Sequence, residues 1–144
     1  MKTALNLKEN PFVLLLFTTI ILLLVLALRP IANVDFQDKV VFGIPLDNMV
    51  WIIPLFLMSF WLLYLATKKF LYSPTVTWIH VLTTVITTLL IVALLYIGIT
   101  PSPYTSDRHE LIGNAMQMLT LIFVLGQLFF IANIGLGILG RRKA

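Results

Sequence analysis

The stretch Asn48–Ile99 reads NMVWIIPLFLMSFWLLYLATKKFLYSPTVTWIHVLTTVITTLLIVALLYIGI. It divides into an apolar run (Val50–Ala66), a basic turn (Lys68, Lys69, then Tyr72-Ser73-Pro74) and a second apolar run (Trp78–Ile99). A helix rising about 1.5 Å per residue needs roughly 20 apolar residues to cross a hydrocarbon layer. Both runs come close to that length, so the stretch reads as a membrane hairpin. Lys68 and Lys69 suit the carbonyl end of the first helix, where the dipole favours cations. The tight turn at Ser73-Pro74-Thr75 makes the two spans antiparallel neighbours.

Composition points the same way. The chain has 144 residues, of which 60% are hydrophobic and 11% charged. A soluble domain carries about 25% charged residues, and a water-soluble fold has no means of covering this much apolar surface. The length fits one domain. Cysteine is absent, which removes disulfides, thiolate metal sites and cysteine nucleophiles together.

Outward from the hairpin lie two more apolar runs. Pro11 opens one that ends at Leu28, closed by Arg29-Pro30. Proline suits a helix start, because its missing N–H has no helical partner there in any case. A signal peptide is the alternative reading. The run exceeds a usual signal core, and Ile31-Ala32-Asn33 makes a poor cleavage site, so an uncleaved anchor is expected. The last run covers Leu111–Leu139, with Asn114 and Gln117 near its start, Gln127 midway and Asn133 near its end. The expected spans are therefore about 11–29, 48–67, 77–99 and 111–139. Between the first two, Val40–Pro45 is apolar but too short to span. Trp51 and Tyr64, near opposite ends of the second span, are placed as interfacial anchors. Pro54 sits in the first turns of that span and removes one helical N–H.

The basic residues set the orientation. Lys2, Lys8, Lys68, Lys69, Arg141, Arg142 and Lys143 fall on one side, against Arg29, Lys39 and Arg108 on the other. Four spans then put both termini in the cytoplasm, with five of the six acids outside. The net charge of +4 thus follows from topology, and no nucleic-acid partner is implied.

Chemistry-bearing residues are few. His80, Thr83, Thr84 and Thr87 share a helix face at spacings of three, four and seven, and Thr88 extends it. Lipid disfavours such a stripe, so it should face another helix. Gly126, Asn133 and Gly137 form a small-residue seam on the last span that permits close approach. His80 is the one imidazole placed to enter a span, and an intramembrane ionisable group is a functional candidate by default. Its position beside Trp78, near the helix entrance, favours a structural hydrogen bond to Thr84 or a headgroup. Asp107, His109 and Glu110 make three potential metal ligands in four positions of a loop, short of the four that a zinc site uses. Gln117, Gln127 and Asn133 either line a pathway or bind helices together. No acid lies within a span, which disfavours a proton or cation transporter, and no nucleophile triad, phosphate loop or dinucleotide fingerprint is present.

Asp35-Phe36-Gln37, then Tyr72-Ser73, then Trp78-Ile79-His80, then Pro103-Tyr104 follow one another in this order. In order and spacing they resemble the last three helices of subunit I of the haem-copper oxidases. There an Asp-Ile-x-Leu-His-Asp-Thr-Tyr segment leads into a helix, followed by a Tyr-Ser turn, an Ile-His near the next helix start and a Met-Pro-Arg-Arg-Tyr loop. The likeness runs from Asp35 to Phe130, about two thirds of the chain. Small four-span membrane proteins of a Bacteroidota type look similar as well. Counted without gaps from Asp35, Asp47 and Met49 fall where the family has its haem-ligating histidines. Asp47 is no substitute for one; Met49 is able to ligate haem iron in principle. The paired arginines beside Pro103-Tyr104 are missing, and His80 matches a family histidine that is not a haem ligand. The resemblance therefore implies a shared scaffold without oxidase chemistry and without a cofactor.

The resulting expectation is an all-α integral membrane protein, a single membrane domain with four transmembrane helices and cytoplasmic termini, resident in the bacterial inner membrane. Its expected role is non-catalytic: a structural or accessory subunit that packs through Thr83, Thr84, Thr87, Gly126, Asn133 and Gly137 against itself or a larger, respiratory complex. Its surroundings are lipid and other membrane subunits. Two alternatives stand beside it: a haem-binding electron carrier using His80 or Met49, and a small transporter.

Overall fold

The computed structural model describes residues 10–28, 40–41, 44–99 and 106–141, with side chains over 10–28, 50–97 and 110–140. The described residues are almost wholly helical: α1 (Val13–Leu28), α2 (Leu46–Thr67), α3 (Pro74–Ile99) and α4 (Ser106–Arg141). α2, α3 and α4 are long and apolar enough to cross a membrane; α1, at 16 residues, is shorter. Pro11 and Phe12 form a turn ahead of α1, whose first bonds run from Val13 N–H to Asn10 C=O and from Leu14 N–H to Pro11 C=O.

The chain forms two compact units, Met1–Lys69 and Phe70–Ala144. In the first, α1 packs on α2; in the second, α3 packs on α4. The division falls inside the basic turn, so the expected hairpin is shared between two helix pairs. A short connection constrains which helices are close in sequence. It does not supply the buried groups that hold helices together within each pair.

In the first unit, Leu15, Thr18, Thr19 and Leu22 recur at three and four residues and form the buried face of α1. Thr18 and Thr19 donate to Leu14 and Leu15 C=O, each at 2.8 Å, so their hydroxyls need no outside partner. On α2, Pro54, Leu57 and Tyr64 are fully buried. Tyr64 stacks on Phe12 with centroids 5.4 Å apart and planes 10° apart. It is therefore a packing residue and not the interfacial anchor that its position suggests. α2 continues through Pro54 without a break, as membrane helices do when packing compensates the lost bond. Lys68, in a 3-10 turn (Lys68–Phe70), places Nζ 5.9 Å from the Phe12 ring centroid, a cation–π distance.

Three boundaries differ from the sequence reading. Val40–Val41 pairs antiparallel with Ile44–Pro45, with Val40 opposite Pro45 and Val41 opposite Ile44. This two-residue ladder (β1 and β2) leads straight into α2; β-branched residues favour it. α3 begins at Pro74, not at Thr77: Ser73 C=O accepts the first helical bond from Thr77 N–H at 3.2 Å, and Pro74 takes the first helical position. α4 begins at Ser106, so Ser106–Glu110 is helical and not loop. Ser106 and Asp107 are favourable at a helix start.

Candidate functional site

Ser73, Thr77, His80 and Thr84 of the second unit meet Gln127 and Asn133 at the α3–α4 interface, at two levels. The pairs Ser73 with Asn133, His80 with Gln127 and Thr83 with Gly126 descend along one helix as they climb the other, so α3 and α4 are antiparallel.

Asn133 occupies the first level and is fully buried. Its Oδ1 accepts from Ser73 N–H at 2.9 Å and Tyr72 N–H at 3.1 Å. Its Nδ2 donates to Thr77 Oγ1 at 2.8 Å and Ser73 C=O at 3.3 Å. Its backbone C=O accepts from Tyr72 N–H at 3.2 Å. The first N–H groups of a helix have no helical acceptor. Here an amide on α4 serves the entry to α3, in place of the local side chain that usually caps a helix. One turn further along α4, Gly137 lies against the Phe70 carbonyl, and a Cβ there would also sit 2.8 Å from Phe70 C and 3.1 Å from Tyr72 N. Only glycine fits that approach.

The second level is built on His80, which is fully buried. Its Nε2 lies 2.9 Å from Gln127 Oε1. Gln127 Nε2 donates to Phe123 C=O at 2.9 Å and to Thr84 Oγ1 at 3.3 Å. Because Phe123 C=O only accepts, the amide nitrogen must face it, and Oε1 therefore faces the imidazole. That assignment makes His80 Nε2 the donor and fixes the proton on that nitrogen. Thr84 Oγ1 lies 3.3 Å from the same nitrogen. Phe130 closes the other side of the ring, with centroids 5.4 Å apart. The expected bond from His80 to Thr84 or a headgroup is thus accompanied by a shorter one to Gln127.

The threonine face and the glycine seam meet each other within the chain. Thr84, Thr87 and Thr88 are buried. Thr87 Oγ1 donates to Thr83 C=O at 2.6 Å, and a Cβ on Gly126 would meet Thr83 Cγ2 at 3.0 Å. Sequence reasoning did not foresee Gln127 as the partner of His80, nor Tyr72 and Ser73 as those of Asn133. A signal existed in the matched order of polar residues: Thr77 then His80 on α3, Asn133 then Gln127 back along α4.

Lys68 and Lys69 are in the 3-10 turn. Met49 is on α2, and its side chain, like those of Asp47, Asp107, His109 and Arg141, lies outside the described residues. Asp35-Phe36-Gln37, Pro103-Tyr104, Arg142 and Lys143 lie outside them altogether. Among the described residues no group of three or more His, Asp or Glu is placed to hold a metal ion.

Among the described residues, fold and interface define a predominantly helical protein with three helices long and apolar enough to cross a membrane and a hydrogen-bonded polar seam between two of them. No protein-family model, curated protein or solved structure matches the chain, so the likeness to the oxidase subunit rests on its own short motifs.

Proposed function

We propose that this is a four-span, non-catalytic membrane protein, with α1 as the first span and both termini cytoplasmic, that serves as a structural or accessory subunit of a larger membrane complex in the bacterial inner membrane. One observation carries the reading. The imidazole, amides and hydroxyls inside α3 and α4 bond to one another across the interface, which is the work of helix association and not of substrate handling. The outward apolar surface supports it: between 17% and 28% of each spanning window is buried inside the chain, leaving the rest for lipid and partner helices. A respiratory complex is the favoured host, on the oxidase-like motifs alone.

The test is a native co-purification. The C-terminus is tagged at the native locus, the complex is extracted in mild detergent, and proteins eluting in fixed ratio are identified. Respiratory subunits in stoichiometric amount support an accessory role; elution free of any other subunit refutes it. Reporter fusions at the two termini that place either one outside the cytoplasm would refute the topology.

A further inference from the structure

We propose that α4 associates in parallel with α4 of a second copy of this chain, along the face opposite its contact with α3. The inference deepens the proposed function and rests on its membrane reading. Gly126, Asn133 and Gly137 turn one side of α4 toward α3. On the opposite side Asn114, Gln117, Leu121, Val124, Leu128 and Ile131 are all exposed. Their spacing is three, four, three, four, three, and four more residues reach Gly135, where an added Cβ would meet nothing within 4 Å. An alternating three–four repeat is the pattern that keeps one seam facing a partner in a left-handed pair of parallel helices.

Two observations select a second copy as the occupant. The first is depth. His80 is level with Gln127 and Ser73 with Asn133, so Gln117 is level with about residue 90 of α3 when the same register is carried outward. That lies within the apolar window Pro74–Ile97, where a lipid-facing amide has no water to bond. The second is chemistry. An amide carries both donor and acceptor, so Asn114 and Gln117 are each complementary to their own copies across a two-fold axis. Two chains inserted with the same orientation present the same residues at the same depth automatically. A single polar residue at a core position of a paired helix is also the device that fixes register, and Asn114 and Gln117 stand at successive core positions.

The absence of cysteine supplies the experiment, because a disulfide from one introduced cysteine can only join two chains. Leu121→Cys (on the seam) and Met118→Cys (65% exposed, about 100° around the helix from Gln117) are made in the full chain and oxidised in native membranes. Leu121→Cys is expected to give the disulfide dimer in clear excess over Met118→Cys. Adding Asn114→Leu or Gln117→Leu to Leu121→Cys is expected to lower the yield about threefold each, the size of an average interhelical hydrogen bond in a membrane. Equal yields at 121 and 118, no dimer from Leu121→Cys, or yields unmoved by the leucine substitutions overturn the proposal. If the protein meanwhile stays in carbonate-washed membranes, the proposed function survives that failure; its release by carbonate would defeat both.

Discussion

Gly137→Ala asks whether α3 and α4 are held at the separation described here. The new methyl would point at the Phe70 carbonyl, with Phe70 C at 2.8 Å and Tyr72 N at 3.1 Å. These are backbone atoms, which no rotamer change can move. Relief requires the two helix ends to part, and one turn away are the bonds that parting stretches: Asn133 Nδ2 to Ser73 C=O at 3.3 Å and Tyr72 N–H to Asn133 C=O at 3.2 Å. Overpacking costs about 1–3 kcal/mol, and one or two lost hydrogen bonds add about 1 kcal/mol each. The helix preference for alanine over glycine returns about 0.5–1 kcal/mol. The net loss is about 1–4.5 kcal/mol, a shift of roughly one to three orders of magnitude in the folding equilibrium. Two internal references sharpen the test. Gly126→Ala meets only the Thr83 methyl, at 3.0 Å, and should cost less than about 1 kcal/mol. Gly113→Ala meets nothing within 4 Å and should be neutral or slightly stabilising. Reversible unfolding in mixed micelles, titrated with a denaturing detergent and followed by circular dichroism, gives the three values on one scale. Gly137→Ala within about 0.5 kcal/mol of the parent, or ranked below Gly126→Ala, would refute the close approach and the reasoning built on it.

Other outcomes follow from the same interface. Asn133→Leu preserves bulk but removes the acceptor of Ser73 N–H and the donor to Thr77 Oγ1, costing about 1–3 kcal/mol; hydrogen exchange at Ser73 should quicken well beyond that at mid-α3 amides, and unchanged exchange there would falsify the capping role. A double-mutant cycle of His80→Ala and Gln127→Ala should give a coupling of about 0.6–1.7 kcal/mol, the range for hydrogen bonds between membrane helices; additive effects would mean that the pair does not interact. Protein purified from haem-replete cells should show no Soret band, because His80 Nε2 is held by Gln127 Oε1 within a buried interface; a band that His80→Ala diminishes would reinstate the electron-carrier reading.

Length and composition made it legible that α2, α3 and α4 are long and apolar enough to cross a membrane, since a crossing needs about 20 predominantly apolar residues. Spacing also made it legible that Thr84 and Thr87 share a face, and that Gly126, Asn133 and Gly137 do. Partner identity was not legible. Each helix is apolar nearly all round, and in that case the hydrophobic pattern no longer marks the inner face. The short turn at Ser73-Pro74 speaks only to the neighbour before α3 in sequence, and gives no hint that the groups bonded to the start of α3 are on α4, about 60 residues away in sequence. Tyr64 was misread for the same reason. Its position near a helix end fits an interfacial anchor, and only the Phe12 ring stacked on it shows that it faces inward. The early start of α4 was obscured by its polar first turn, which resembles loop in composition but suits a helix N-terminus electrostatically.

The distribution of polar residues on α4 carries the argument one step further. With apolar surface on every side, the informative positions are those at which lipid is a poor neighbour. Gln127 and Asn133 are such positions on the side facing α3, and each has protein partners there. Asn114 and Gln117 are equally poor lipid neighbours, yet they lie on the opposite side and point outward. If the inner amides hold α3 to α4, the same chemistry in the outer pair calls for a second helix. A helix that met only lipid on that side would gain from leucine at both positions. Membrane insertion of Asn114→Leu with Gln117→Leu should accordingly be undiminished while assembly weakens. Loss of insertion together with assembly would show that the amides serve the fold of the single chain, and the outer face of α4 would then belong to lipid.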